Sequence, residues 1–188
     1  MYRKLKIQDT VRVPPELLGR KVEESVEKSL KQRYEGNIEN EAGVILLVED
    51  LIEIGDGDIN PEDAGVHYPV KYRAIAYQPE LHEVVEGEVV DITDFGAFVR
   101  VGPLDGLVHV SQVMDDYVSY DEKQGMLSGK DGSRSLQVGD IVRARVTAVS
   151  LDSGEDNKLN LTMRQPMLGK LEWVEEKLEE EEEEEDEE

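Results

Sequence analysis

Between Asp94 and Val113 the chain reads DFGAFVRVGPLDGLVHVSQV, and this one window holds both of its phenylalanines and one of its three histidines. Rings of this kind stack on nucleobases, and cations beside them follow phosphates, which together are what a single-stranded nucleic-acid platform requires. Strand side chains alternate between the two faces of a sheet. Ala97, Val99 and Val101 therefore form an inward row, and Phe98 and Arg100 an outward one. After the turn GPLDG, whose Gly, Pro and Asp are turn formers, Val108 and Val110 point inward and His109 outward, beside Leu107 and Ser111. Gly96 separates Phe95 from this alternation. A glycine there predicts a bulge that shifts parity and brings Phe95 onto the face of Phe98. A ligand-free barrel with two half-exposed rings stands beside this reading on alternation alone, because isolated exposed apolar residues are ordinary.

A second window, GDGDINPEDAGVH, places Asp56, Asp58, Glu62, Asp63 and His67 in a glycine-containing loop. It lacks the ordered ligand series, closed by a bidentate Glu, that a calcium loop needs. A solvated or protein-docking loop is the better reading. The chain has no cysteine, and no glycine-rich loop leads into a Lys-Ser/Thr pair. His67, His82 and His109 have no motif-defined base or nucleophile beside them. We therefore expect no catalytic residue, no metal and no cofactor, and a protein that acts by binding. A ribonuclease would need a carboxylate cage that is not evident here.

The elements that position the rings follow from the same alternation. VGDIVRARVTAVSL sets Val142, Ala144 and Val146 against Arg143, Arg145 and Thr147, and KLNLTMR sets Leu159, Leu161 and Met163 against Lys158, Asn160, Thr162 and Arg164. With the first window these strands predict a small antiparallel barrel whose exterior carries Phe, His, Arg and Lys. Upstream, MYRKLKIQDTVRV alternates Leu5 and Ile7 with Lys4 and Lys6, and Pro14 and Pro15 end that strand. RKVEESVEKSLKQRYEGN carries a helical stripe of Val22, Val26, Leu30 and Tyr34, stopped by Gly36 and Asn37. GVILLVEDLIEIG reads as a long, largely buried strand, and YPVKYRAIAY alternates Val70, Tyr72, Ala74 and Ala76 with Lys71, Arg73 and Ile75. The order strand, helix, strand, strand predicts an α+β unit with one helix packed on an antiparallel sheet.

The run VEGEVVDITDFGAFVRVGPLDGLVHVSQV, followed after an insert by VGDIVRARVTAVSLD and KLNLTMR, resembles the ribosomal S-one domain, a five-stranded OB-fold that binds RNA. That resemblance implies RNA contacts at Phe95, Phe98 and His109, with Asp152 and Lys158 near the last loop; Arg100 and Arg145 would flank the rings. Lys158 stands where the family usually has arginine, so the charge is kept and planar stacking is lost. DTVRVPP, the GDGD loop, YRAIAYQPELHEVVEGEV and the closing LTMRQPMLG together resemble the E-prime family of archaeal DNA-directed RNA polymerase subunits, the counterpart of the seventh subunit of eukaryotic RNA polymerase II. What this implies is a stalk subunit of three parts. Residues 1–80 would be a truncated RNP-like tip domain that docks on the polymerase core through Pro14, Pro15, Gly55, Asp56, Gly57 and Asp58. Residues 81–171 would be the OB-fold that meets emerging RNA, and 172–188 an acidic, disordered tail. The small helical F component of the polymerase would be its heterodimer partner. An S-one protein of translation initiation or of an exosome-type complex is the alternative, and would carry a different N-terminal half.

Charge is the anomaly for such a role. The chain of 188 residues has a formal net charge of −23, which repels a polyanion. Thirteen acidic residues and one lysine lie between Glu172 and Glu188, a net −12 that leaves −11 elsewhere. Such a run repels itself, which predicts a solvated, disordered end. Counterion release then contributes little to RNA binding, and stacking must contribute more. The absence of cysteine fits a reducing compartment. Apolar runs such as VILLV are too short to span a bilayer, and the first residues lack a signal-peptide core. These features make a cytoplasmic protein the expectation.

Overall fold

The computed structural model describes residues 1–39, 42–130, 134–151 and 158–186, with side chains described as far as Glu179. Two compact units divide the chain, the first centred on Met1–Gln78 and the second on Pro79–Ser150 with the segments that follow Asp156. The break thus falls two residues before the expected boundary. Among the described residues no helix is long and apolar enough to cross a membrane.

The first unit opens with β1 (Tyr2–Val13). Pro14 and Pro15 end it and lead into a single 3-10 turn at Pro15–Leu17. α1 (Val22–Tyr34) buries Val26, Leu30 and Tyr34 as its stripe predicts, together with Ser25 and Ser29. Val22, in the first turn, is exposed. Glu35 caps the helix, and Gly36 follows with φ 81°, the left-handed conformation expected of a stop glycine. β2 (Ile38–Glu39), β3 (Gly43–Ile54), β4 (Asp58–Ile59) and β5 (Val66–Tyr77) complete an antiparallel sheet of order β1-β5-β3-β2, with β4 also on β5. The core lies between α1 and the sheet, from Val11, Val13, Val26 and Leu30 to Val70, Tyr72, Ala74 and Ala76.

β3 departs from expectation, being buried only from Gly43 to Ile45 and at Val48, with Leu47 and Ile52 exposed. The cause is three register shifts against β5, after Ile45, Val48 and Leu51. Each shift inserts an extra residue, so that after Ile45 it is Val48, Leu51 and Ile54, every third residue instead of every second, that return to the core.

The second unit contains β6 (Val84–Thr93), β7 (Gly96–Val101) and β8 (Leu104–His109), then a 3-10 turn at Val110–Gln112. An insert folds as β9 (Val118–Asp121), β10 (Met126–Gly129) and β11 (Ser135–Gln137), a three-stranded sheet of its own. β12 (Ile141–Ser150), β13 (Lys158–Thr162), β14 (Gly169–Lys170) and α2 (Leu171–Asp186) follow. The order β13-β8-β7-β6-β12-β14, with β12 also paired to β13, closes five strands into a barrel. Its interior holds Val89, Ala97, Val99, Val108, Val142, Ala144, Val146, Leu159 and Leu161. The barrel is not wholly antiparallel: β8 and β13 run parallel, Asn160 beside Leu107. A closed ring of five strands cannot reverse direction at every seam, so one parallel seam is unavoidable.

Two more expectations are corrected. Thr162, outward by alternation, is only 3% exposed. The turn after β8 lies over it, and its Oγ1 donates to Gln112 Oε1 at 2.8 Å. The acidic segment begins as helix α2, with Trp173 8% exposed and Val174 buried. Apolar anchoring at its base offsets the repulsion of the carboxylates. Lys170 Nζ adds a bridge, 3.0 Å from Asp140 and 2.8 Å from Glu172.

Candidate nucleic-acid interface

β7 and β8 pair in register from Gly96 opposite His109 to Val101 opposite Leu104. With Ala97, Val99 and Val108 buried in the barrel, the opposite face carries Phe98 and Arg100 on β7 and Asp105, Leu107 and His109 on β8. Phe98 is half-buried and Phe95 is 47% exposed. Their rings meet edge to face, centroids 6.0 Å apart and planes at 90°, a geometry favoured by the ring quadrupoles. Phe95 reaches this face because it lies in the two-residue turn between β6 and β7, outside the ladder, rather than through a bulge within β7. Gly96 matters for a different reason: a Cβ there would collide with the carbonyl oxygen of Val108. Glycine lets β7 and β8 approach at the point where Phe95 and His109 converge.

His109 is exposed and held in one orientation: its Nδ1 accepts the Ser111 backbone N–H at 3.3 Å and lies 2.9 Å from Ser111 Oγ. Leu107 stands opposite Phe98 and beside Asn160, so a ring, an apolar side chain and an amide run across three strands. Lys158, exposed at the start of β13, is two residues before Asn160 on the same face, level with Asp105. Asp152 lies outside the described residues.

The expected cations are less available than alternation suggests. Arg100 Nε donates to Asp105 Oδ1 at 3.0 Å, with Nη2 3.3 Å from the other oxygen. This pair raises the guanidinium further above its ordinary value. Arg145 lies on β12 between Val84 of β6 and Thr162 of β13, one strand removed from both β7 and β8. Its Nη1 reaches the His82 carbonyl at 3.4 Å, and its Nε is buried with no hydrogen-bond partner among the described residues. Asp91, which the sequence reading passed over, sits directly opposite Phe98 on β6. The face is thus aromatic, and Glu88, opposite Arg100 on β6, adds a third carboxylate to Asp91 and Asp105 around it.

The structure also gathers the tip residues. Val66 pairs with Val13 on one side and Ile59 on the other, so Pro14–Pro15 and the loop 55–58 share one end of the sheet. Gly55 to Asp58 are all exposed. Gly55 N–H donates to the Pro69 carbonyl at 2.7 Å. A Cβ on Gly57 would come within 2.7 Å of the Tyr68 ring and of Val66. Behind this loop Asp63 accepts Arg12 Nε and Nη2 at 2.6 and 2.5 Å and the Gly65 N–H at 3.0 Å. His67 Nε2 lies 2.8 Å away. Arg12, Gly65 and His67 hold the Asp63 carboxyl well below the usual carboxylate range. Sequence reasoning saw Asp63 and His67 only as loop acids and a lone histidine; the missing signal, Arg12, is 51 residues away.

Residues 78–157 match the S1 RNA binding domain family. Residues 8–64 match the SHS2 domain found in the N terminus of Rpb7p/Rpc25p/MJ0397. Over 178 residues, 95% of this chain and 97% of the relative, the sequence is 37% identical to DNA-directed RNA polymerase subunit Rpo7 of Sulfolobus acidocaldarius. It is 39% identical over 175 residues to Rpo7 of Saccharolobus shibatae, covering 93% of this chain and 97% of that one. DNA-directed RNA polymerase II subunit RPB7 of Glycine max is 24% identical over 155 residues, 82% of this chain and 88% of that protein.

Proposed function

Since the chain belongs to the Rpo7 family of DNA-directed RNA polymerase subunits, we propose that it is the non-catalytic stalk subunit that docks on the core enzyme and holds emerging single-stranded RNA. Membership makes it a component of the assembled nucleotidyltransferase, and its second unit is an S1 RNA binding domain. The observation that carries the RNA reading is the exposed edge-to-face pair of Phe95 and Phe98 beside the fixed ring of His109. Bases stack on this surface, and Arg100 and Lys158 contact phosphate at its margin, Arg100 by exchanging Asp105 for it. Asp152, carried over from the family pattern, and Arg145, placed by strand alternation, complete the set of RNA-contacting residues, Arg145 as the outlying member. Its role is binding rather than catalysis, because that face offers rings and paired ions. The first unit docks on the polymerase core through Pro14, Pro15 and Gly55–Asp58, with the small helical F component as heterodimer partner, in the cytoplasm.

An S1 protein of translation initiation or RNA processing fits less well, because residues 8–64 match a domain named for polymerase subunits. Tagged protein should recover the polymerase from cells. The double variant Asp56→Lys/Asp58→Lys should recover at least about fivefold less while binding short RNA as the wild type does, a loss of about 1 kcal/mol or more. Equal recovery would remove the docking assignment, and recovery of a translation or RNA-processing complex instead would overturn the polymerase reading.

A further inference from the structure

Asp91 reaches the ring face through an irregularity in β6. Val89, 0% exposed inside the barrel, pairs with Val99, and Ile92, 7% exposed, pairs with Ala97. Faces alternate along a regular strand, so Asp91, two residues after Val89, would share its inward face. The register shift between Val89 and Asp91 makes Val90 an extra residue and sets Asp91 directly opposite Phe98, exposed. Bulges re-aim side chains beside functional sites. Here one takes a carboxylate out of an apolar barrel and lays it against an aromatic surface.

The charges around that surface are not equally matched. Asp105 accepts from Arg100 Nε at 3.0 Å, and Glu88 lies opposite Arg100 on its other side. Lys158 is on β13, three strands from β6 in the order β13-β8-β7-β6. Asp94 is exposed in the turn beside Phe95 and adds a further negative charge. On the flank away from β7, the segment before β12 meets β6 through Gly139, whose N–H donates to the Val89 carbonyl at 2.8 Å, and the adjacent Asp140 is bridged to Lys170. Among the described residues the Asp91 carboxylate has one partner, the backbone N–H of Ile92, which its Oδ1 accepts at 2.9 Å. A carboxylate only accepts, at about four lone-pair sites, so most of its capacity faces the surface unused. Next to a polyanion such a group is repulsive unless the donors of a base meet it.

Neighbouring strands lie about 4.8 Å apart, so a base stacked on Phe98 sets one edge over Asp91. We propose that Asp91 selects the base bound on Phe98, and that the base it selects is guanine. The Watson–Crick edge of guanine offers two adjacent donors, N1–H and the N2 amino group, to a carboxylate that only accepts. Adenine and cytosine offer one amino donor beside a ring-nitrogen acceptor, and uracil offers one N–H between two carbonyl oxygens; those acceptors are repelled by the carboxylate. Unstacked bases of single-stranded RNA expose this edge. Phe98 then supplies affinity and Asp91 the choice of base. This rests on the RNA reading given above.

The test is titration of the full chain with four RNA octamers: uridine throughout, and uridine alternating with guanosine, adenosine or cytidine. Guanine and adenine are both purines and stack alike, so comparing them isolates the edge. The guanosine octamer should bind at least about fivefold tighter than the adenosine octamer, and the all-uridine one should bind weakest. Asp91→Asn keeps an acceptor for the Ile92 N–H and turns the other oxygen into a donor. It should leave the melting temperature unchanged, bring the guanosine and adenosine octamers within about twofold of each other, and bind uridine as tightly as the wild type or tighter. Phe98→Ala should weaken all four. Equal binding of the guanosine and adenosine octamers by the wild type overturns the selection and leaves the RNA reading intact. Selectivity retained in Asp91→Asn overturns the role of Asp91; a lowered melting temperature with selectivity retained assigns the carboxylate to holding the bulge and overturns it too. Binding to none of the octamers overturns the RNA reading, and the selection with it.

Discussion

Replacing Phe98 by alanine separates stacking from packing, because the two roles predict different magnitudes. The ring is half-buried on the outside of the barrel, edge-on to Phe95 at 6.0 Å and opposite Leu107. Removing an edge-to-face partner loses about 0.5–1.5 kcal/mol. A fully buried phenylalanine would lose about 3–5 kcal/mol, but truncation at an open face encloses no cavity. The second unit should therefore lose about 1–2 kcal/mol, or roughly 5–15 °C in Tm. Loss of one base–ring stack is worth about 1–3 kcal/mol, which weakens RNA binding from about fivefold to more than a hundredfold. Short single-stranded RNA should be titrated well below the melting transition, at two salt concentrations, with thermal melts alongside. Val99→Ala is the matched control: Val99 lies 1% exposed inside the barrel, so it should lower Tm and leave Kd alone. Arg100 is engaged by Asp105, and Asp91 faces Phe98. About two phosphates at most are then neutralised, and the slope of log K against log salt should not exceed about 1.5 in magnitude. An unchanged Kd in Phe98→Ala with a collapsed Tm would refute the assignment of faces, and a steep salt slope would refute the assignment of the binding energy to stacking.

Asp63→Asn should lower the Tm of the first unit at neutral pH. Because Arg12, the Gly65 N–H and His67 depress the folded-state pKa of Asp63 below the unfolded value of about 4, the carboxylate's contribution is complete above that value and is lost as pH falls. The gap between wild-type and variant melts should narrow steadily below about pH 4; a constant gap down to pH 3 would show that the Arg12 pair contributes nothing. Trp173→Ala should lose about 3 kcal/mol and most of the far-UV helical signal of α2, since Trp173 and Val174 are the buried residues at its base. Truncation after Glu179 should leave Tm unchanged; a retained helical signal in Trp173→Ala would show that α2 needs no anchor.

Side-chain direction along a strand is a local property, and it was legible residue by residue. The rows Ala97/Val99/Val101 and Val142/Ala144/Val146 are buried as read, because a period of two ties each residue's face to its neighbours. What surrounds that face depends on strand order, which alternation does not encode. Arg145 points outward along β12, yet the order β13-β8-β7-β6-β12 sets it a strand away from the rings. Thr162 points outward and is covered by Gln112, 50 residues earlier. Phe95 reached the expected face by a turn, since a glycine next to a strand signals bulge, turn end and close approach alike. The acidic tail misled in a similar way. Its charge count says nothing of its start, which is set by two apolar residues and by Lys170 bridging Asp140 and Glu172. The same limit governs β1. Twelve alternating residues identify a strand, but only the pairing of β5 with both β1 and β3 makes β5 central and β1 an edge. The convergence of Phe95, Phe98 and His109 on one face was legible because all three lie in or next to one hairpin, where local register is sufficient. The tip cluster of Arg12 with Asp63 and His67 arises from neighbours that meet only in the folded sheet.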